Sequence, residues 1–405
     1  MSKILITGNG FDLFHGLPTK YGHFMAIMET IEQYGFKEKI SFEDLFERHF
    51  KEKFPNDYES IKEKYKTENI HFEKEKINEL AKILSSNSWY KHFKNVNDIE
   101  TWIDFEIEIE NVLKQLNLLF DLYKNNDKRL SNYNIYNPIK TGIYLDIKIL
   151  GISKKNSDTN YISLDEKFLN KRTDKIDQSK LIKDLLLSFN EFKFLFNKYI
   201  LSIVDVFMNN FKNKFGLQMN SIDEFYSFNY TSTLENEYKV ENSKVIYLHG
   251  KSEDSNDLQN IVLGISEVPA GIVNSEVFGF TKYYQKFRKN NNKKFIKIPE
   301  ENNNFEETIF YVIGHSLDES DKEYIYKLFE YLKTDSNKHS KICVFYFNDD
   351  DYDKKLNNLF KIIEKEIIME MNANSRLYFV KLNQENINLE FNRKLKRMRK
   401  IIDTR

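Results

Sequence analysis

The stretch ILITGNGFDLFHGLPTKY, residues 4–21, decides how the rest of the chain reads. Its opening run is strand-length and apolar at successive residues, the pattern of a strand buried on both faces. Gly8-Asn9-Gly10 follows as a turn. Pro18-Thr19 suits the entrance to a helix carrying Phe24, Ile27, Met28 and Ile31 at helical spacing. Strand, glycine turn and helix form the opening unit of a nucleotide-binding fold. There glycine lets the backbone approach a phosphate, and a helix N-terminus favours the anion. The dinucleotide fingerprint of hydride-transfer enzymes needs a third glycine, and Leu13 stands in that place. No second strand follows to present the acidic residue expected about 20 positions on. Both departures weaken a dehydrogenase reading.

Past residue 35 the texture changes. Residues 36–220 are mainly helical in pattern. VNDIETWIDFEIEIENVLKQLNLLFDLY sets Trp102, Phe105, Ile109, Leu113 and Leu116 on one stripe. DQSKLIKDLLLSFNEFKFLFNKYILSIVDVFMNNF extends the same pattern over a longer span. The polar region between them reads as loops, with short strands near TGIYLDIKIL. From residue 221 strands and helices alternate. DEFYSFNYT, KVIYLHG and NIVLGI read as strands with turns. ETIFYVIGHSLDESDKEYIYKLFEYL reads as strand, glycine turn and helix. KICVFYF precedes a helix entered through Asp349-Asp350-Asp351, and RLYFVKL precedes a basic, helical C-terminus. The alternation predicts an α/β, Rossmann-like domain with a mostly parallel sheet, made of residues 1–35 and 221–405. Residues 36–220 form a large helical insertion capping it.

Bulk properties narrow the function. The 405 residues are 40% hydrophobic and 30% charged, enough for a sizeable core. A formal net charge of -1 supplies no global basic field to draw the chain onto nucleic acid or a membrane. The basic tail NRKLKRMRK gives slight local support for nucleic-acid contact, and otherwise reads as a solvated or oligomer-contacting helix. The single cysteine, Cys343, lies inside an apolar strand run, which excludes an intramolecular disulfide framework and a cysteine zinc knuckle. A reducing cytoplasm is the compartment this suits. The N-terminus shows no signal peptide and no apolar stretch reaches membrane-spanning length, so a soluble chain is expected.

In a doubly wound sheet, ligands sit at the carboxyl ends of the strands. Four turns fall at such ends: Gly8-Asn9-Gly10, Phe228-Asn229-Tyr230-Thr231, His249-Gly250 and Gly314-His315-Ser316. Asp12 either faces the cleft, where it bonds ribose or stabilises positive charge, or caps its own turn. Asn229 is either an N-cap for the helix in TSTLENEY or an amide aimed at a sugar or water. His249 ends a neighbouring strand. Trp102 and Glu106 share a helical face, as a stacking ring beside an acid or as a core Trp with a solvated acidic flank. His15 is either a ligand contact or turn packing.

These motifs together resemble the AbiH abortive-infection family, a group of bacterial anti-phage proteins. LITGNGFDLFHGLPTKY is similar to its N-terminal signature, WIDFE to its helical tryptophan–acid segment, and FSFNYTSTLE, YLHG and VIGHSLDESD to its later motifs. The later motifs also resemble, more distantly, the sirtuin-like NAD-binding fold. That resemblance implies NAD as a substrate, with no metal. It implies Asn229 positioning water or ribose and His249 as base on a ribose hydroxyl; in such a cleavage a carboxylate such as Asp12 would stabilise the developing cation electrostatically. Gly8, Asn9, Gly10, Phe11 and His15 on one side, and Gly314, His315 and Ser316 on the other, would hold the nucleotide. Two departures matter: Thr231 replaces the Asp expected after Asn229, and the zinc module is missing, which turns the implied chemistry from protein deacylation to NAD hydrolysis.

The expected activity is N-glycosidic cleavage of NAD by an anti-phage effector. A phage-derived trigger or a partner defence protein would release it, with the helical insertion as a lid and homo-oligomerisation left open. Two other classes stay open. One is a metal-dependent nuclease or nucleotide-processing effector using Asp12, Glu106, Asp318 and Asp321. The other is a non-catalytic nucleotide-binding sensor acting through partners.

Overall fold

A computed structural model describes residues 2–36, 38–96, 102–125, 166–170, 172–173, 175–254, 260–272, 275–289, 295–296, 307–334 and 339–393. The segments around TGIYLDIKIL and the basic tail from residue 394 lie outside the described residues.

Six strands form the main sheet: β1 (Ser2–Thr7), β2 (Glu224–Ser227), β3 (Val245–Tyr247), β4 (Thr308–Ile313), β5 (Lys341–Tyr346) and β6 (Leu377–Lys381). Their spatial order is β6-β5-β4-β1-β2-β3, and every adjacent pair is parallel. Read from the other edge this is 3-2-1-4-5-6, the doubly wound Rossmann-like order. β1 pairs along its whole length with β4 and from Ile4 to Thr7 with β2. A parallel sheet must be covered on both faces, which is why its strands are apolar at consecutive positions. Ile4 and Ile6 join Phe310, Val312 and the helices Lys322–Lys333 and Asp349–Ile362 on one face. Leu5 joins Ile309, Tyr311, Phe345 and the helix Gln384–Phe391 on the other. Cys343 is fully buried in β5, on that second face.

A third core lies in the helical body. Trp89, Phe105, Phe189, Phe192, Phe196 and Tyr199 pack ring against ring with Tyr21 and Phe24. Each such ring contributes about 2–3 kcal/mol on full burial. This core draws residues from the N-terminal and later parts of the chain as well as from its middle. The helix Tyr21–Gln33, with Phe24, Ile27, Met28 and Ile31 all buried, packs into the helical body, as do Ile261, Leu263, Ile265 and Phe280 from the later half. The long helices Trp102–Asn125 and Gln178–Tyr199 are as the stripes predict, and the second continues into a π-helical turn, Ile200–Val204.

Pro18-Thr19 leads into the helix Tyr21–Gln33 as expected, with Lys20 as its N-cap. Two local expectations are corrected. Gly8-Asn9-Gly10 is the beginning of a six-residue helix, Asn9–Phe14, not a free turn. NIVLGI forms no strand of the sheet. Val262 N donates to His249 O, and Gly264, at φ +143°, brings the chain against Phe280 O, so the run is held by loops and by the helical core. Among the described residues no helix is long and apolar enough to cross a membrane.

Candidate functional site

The site starts from glycine packing at the two loops that flank the strand-order reversal. Gly8 N donates to Ile313 O at 3.0 Å and Gly10 N to Gly314 O at 2.8 Å, which fastens the end of β1 to the end of β4. A Cβ on Gly8 would come within 2.7 Å of His315 Cα, and one on Gly10 within 2.7 Å of Gly314 Cα. Gly314 has φ +71°, and a Cβ there would lie 2.0 Å from Phe11 N. The glycines are thus required by backbone-to-backbone contact. The Gly8 and Gly10 amides are spent on this contact and are not free to cradle a phosphate. Leu317, buried in the same loop, sits at φ +54°, which costs about 1–2 kcal/mol. Its N–H donates to His315 Nδ1 at 2.9 Å, which leaves the other ring nitrogen, Nε2, to face Asp321.

Beyond the ends of β1 and β4, where the chain connections leave in opposite directions along the sheet, a cleft of about 430 Å³ opens at the carboxyl ends of the strands. This is the switch point at which open α/β sheets bind ligands, and the volume is that of a small-molecule site. Gly8, Asn9, Gly10, Asp12, Asn229, His249, Gly314, His315 and Ser316 all line it, together with Trp102 and Glu106 from the helical body. Two predicted contacts are not in its lining. Phe11 is buried under the sheet, and His15 points the same way, fully buried, donating through Nδ1 to Phe11 O and accepting from Tyr238 through Nε2. His15 is a core histidine because five aromatic rings enclose it.

Asp12 faces the cleft, yet it caps nothing in its own turn. Thr231 and Thr233 donate to its two carboxylate oxygens, each at 2.7 Å. Burial pushes its pKa up to about 6, against the threonines and Asn229, which hold the charged form. The carboxylate thus comes from the short helix after β1 and the hydroxyls from the segment after β2. Asn229 is no helix cap: Ser232 precedes the helix Thr233–Tyr238, without a side-chain cap bond.

The inner end carries the strongest electrostatics. His249 Nε2 lies 3.1 Å from Asp321 Oδ1, close but out of line for a hydrogen bond. His315 Nε2 is 3.4 Å from Asp321 Oδ2. Lys282 Nζ is 2.7 Å from Glu106 Oε1 and 3.6 Å from Asp321 Oδ1. Burial lowers His249 to about 4, with Lys286 and Lys282 adding to the effect against Asp321, so its imidazole is neutral at pH 7. Burial opposes the charge on Asp321, but Lys282 and His249 outweigh it and hold the carboxylate well below its ordinary range. Glu106 goes the other way, pushed up to about 7 by burial against the pull of Lys282. It is not a solvated flank: its side chain is 14% exposed, in the cleft wall.

Lys282 was not legible in the sequence. It lies on the helix Lys282–Arg288, which buries Lys282, Gln285 and Lys286 and leaves Phe287 73% exposed, the reverse of the usual amphipathic pattern. The period is visible, but only the acids facing it explain which side turns inward. Thr19 and Tyr230 also line the cleft. At the outer end stand Phe347, Asn348, Asp351, Lys354 and Lys355. Asn348 is the N-cap of the helix Asp349–Ile362, whose first turn holds the three aspartates, with Asp351 bonded to Phe347 N and Lys355. The four carboxylates proposed for a metal do not gather. Asp12 is tied to threonines, Asp318 caps its own turn, and Glu106 and Asp321 face Lys282. Among the described residues no group of three or more His, Cys, Asp or Glu is placed to hold a metal ion.

A family model described as bacteriophage abortive infection AbiH matches residues 4–346 of the chain. No curated protein and no solved structure matches it.

Proposed function

The chain belongs to the bacteriophage abortive infection AbiH family, and on that premise we propose that it is an anti-phage effector that binds NAD or a closely related dinucleotide. It hydrolyses the N-glycosidic bond to nicotinamide and ADP-ribose. One observation carries this reading: the cleft opens at the switch point of a 3-2-1-4-5-6 parallel sheet and ends on a neutral His249 held against Asp321.

In the reaction the bond between the ribose carbon and the ring nitrogen breaks, both electrons going to the nitrogen. This neutralises the leaving group and builds positive charge on the ribose. Water adds to that carbon and gives its proton to His249, whose imidazolium Asp321 then stabilises. The Asn229 amide orients the ribose hydroxyl or the water. Asp12, fixed by its two threonines, sets negative charge at the floor of the site before the reaction begins. The step as written asks for no metal ion.

Purified protein incubated with NAD, and separately with RNA, tests this by chromatography of both. Nicotinamide and ADP-ribose are expected from NAD while RNA stays intact. His249→Ala should slow release by about 10²–10⁴-fold, and Asn229→Ala should slow it with correct folding retained. Undiminished turnover in both variants would overturn the site, and NAD bound but never consumed would make the protein a sensor.

A further inference from the structure

We propose that the inner end of the cleft is a subsite for a planar ring bearing a neutral carboxamide, which Thr19 and Glu106 hold while Trp102 covers the ring. The inference rests on the reading of the cleft as an NAD site and names where the nicotinamide end goes.

Four buried polar atoms in this wall lack a hydrogen-bond partner among the described residues: Thr19 Oγ1, Glu106 Oε2, His249 Nε2 and Asp321 Oδ1. The last two face each other at 3.1 Å. That leaves Thr19 and Glu106, both on the helical body, opposite the strand ends. Thr19 is 4% exposed. Buried polar groups are nearly always satisfied, so a pair left open in a cleft wall points to a missing partner. Trp102 joins the two. Its Nε1 donates to Thr19 O at 3.0 Å, and it stands one helical turn before Glu106 on the same face. Phe196 meets the Trp102 ring edge-on at 4.6 Å and fixes its plane.

The donor and acceptor pattern selects the ligand. A carboxamide supplies an NH₂ for Glu106 Oε2 and a carbonyl for the Thr19 hydroxyl. A carboxylate in its place would meet the charge of Asp321, and the lysine of this wall, Lys282, already bridges Asp321 and Glu106. Before cleavage the ring is cationic, which an indole face favours. Adenine also presents an amine, but the proton acceptor His249 stands at this end, so the scissile ribose and its ring belong here.

The test uses the full-length protein and its fluorescence. The chain has two tryptophans, and Trp89 is fully buried in the helical core, so a ligand reaching the cleft reports on Trp102. Nicotinamide should quench the emission, and nicotinic acid and adenine should bind at least about tenfold more weakly. Thr19→Val and Glu106→Gln should each weaken nicotinamide about tenfold, Thr19→Ser should restore it, and ADP-ribose affinity should not move in the Thr19 variants. Equal binding of nicotinamide and nicotinic acid, tighter binding of adenine, or an unchanged Thr19→Val would overturn the subsite. If nicotinamide binds as described but intact NAD is never cleaved, hydrolysis falls and the subsite stands. If NAD is cleaved and nicotinamide neither quenches nor inhibits, the subsite alone falls.

Discussion

His15 and His249 are both buried histidines, and their neighbours give them different work. His15 has both nitrogens engaged inside an aromatic shell, whereas His249 keeps Nε2 against a carboxylate in a cleft. Burial lowers each to about 4. The unfolded chain protonates its histidines near pH 6.5, so between about 6.5 and 4 the unfolded state binds more protons. Stability is therefore full above pH 6.5 and is lost as pH falls, by on the order of 3 kcal/mol for each histidine. His15→Gln should remove the share of this acid sensitivity that His15 carries without touching the cleft, as read by urea melts at pH 7 and pH 5. An equally steep loss in the variant would count against the assignment. At this scale the sequence singled out the right residue types. It could not separate the two histidines, because a ring nitrogen's partner comes from a distant part of the chain, Tyr238 for His15 and Asp321 for His249.

At the scale of elements, the glycine loops explain why a shortened fingerprint still makes a Rossmann-like turn. The third glycine of the dinucleotide pattern normally allows close helix–strand packing. Here the short helix Asn9–Phe14 packs instead on Gly314 from the β4 loop, so the close approach is met by a glycine some 300 residues away. Gly314→Ala should then be severe, because the new Cβ combines a left-handed backbone with a 2.0 Å clash against Phe11 N. Gly271→Ala is the control: φ is +89°, but the nearest atom is 3.7 Å away. Thermal melts should show a loss of about 1 kcal/mol for Gly271→Ala and several times that, or no folded protein, for Gly314→Ala. Similar melting temperatures for the two would refute the packing argument. Apolar runs bounded by turn residues placed the six strands of the main sheet, and helical spacing placed the helices Tyr21–Gln33, Trp102–Asn125, Gln178–Tyr199 and Lys322–Lys333. NIVLGI deceived because a short apolar run looks alike in a strand and in a buried loop.

Across the whole molecule, the sheet and the helical body meet at one buried charge cluster. Glu106 comes from the helix Trp102–Asn125, Lys282 from the helix Lys282–Arg288, and Asp321 from the loop after β4. Lys282 is 4% exposed, and although burial opposes it, Asp321 and Glu106 keep its ammonium charged. Lys282→Met should cost about 3–5 kcal/mol, because it strands two buried carboxyl groups. Adding Glu106→Gln should recover part of that loss, and a double-mutant cycle in urea gives the coupling directly. Strict additivity of the two changes would show that the cluster does not join the two parts.

The sequence by itself determined the fold class, the strand ends that carry polar residues, and the family signature. Those properties follow from local periodicity and from short runs whose residue types are constrained one turn at a time. Tertiary structure decided which of those residues share a cleft, which histidine is core, and that Lys282 and Thr19 belong to the wall. Burial and charge pairing are sums over neighbours from distant parts of the chain, and local patterning carries no record of them.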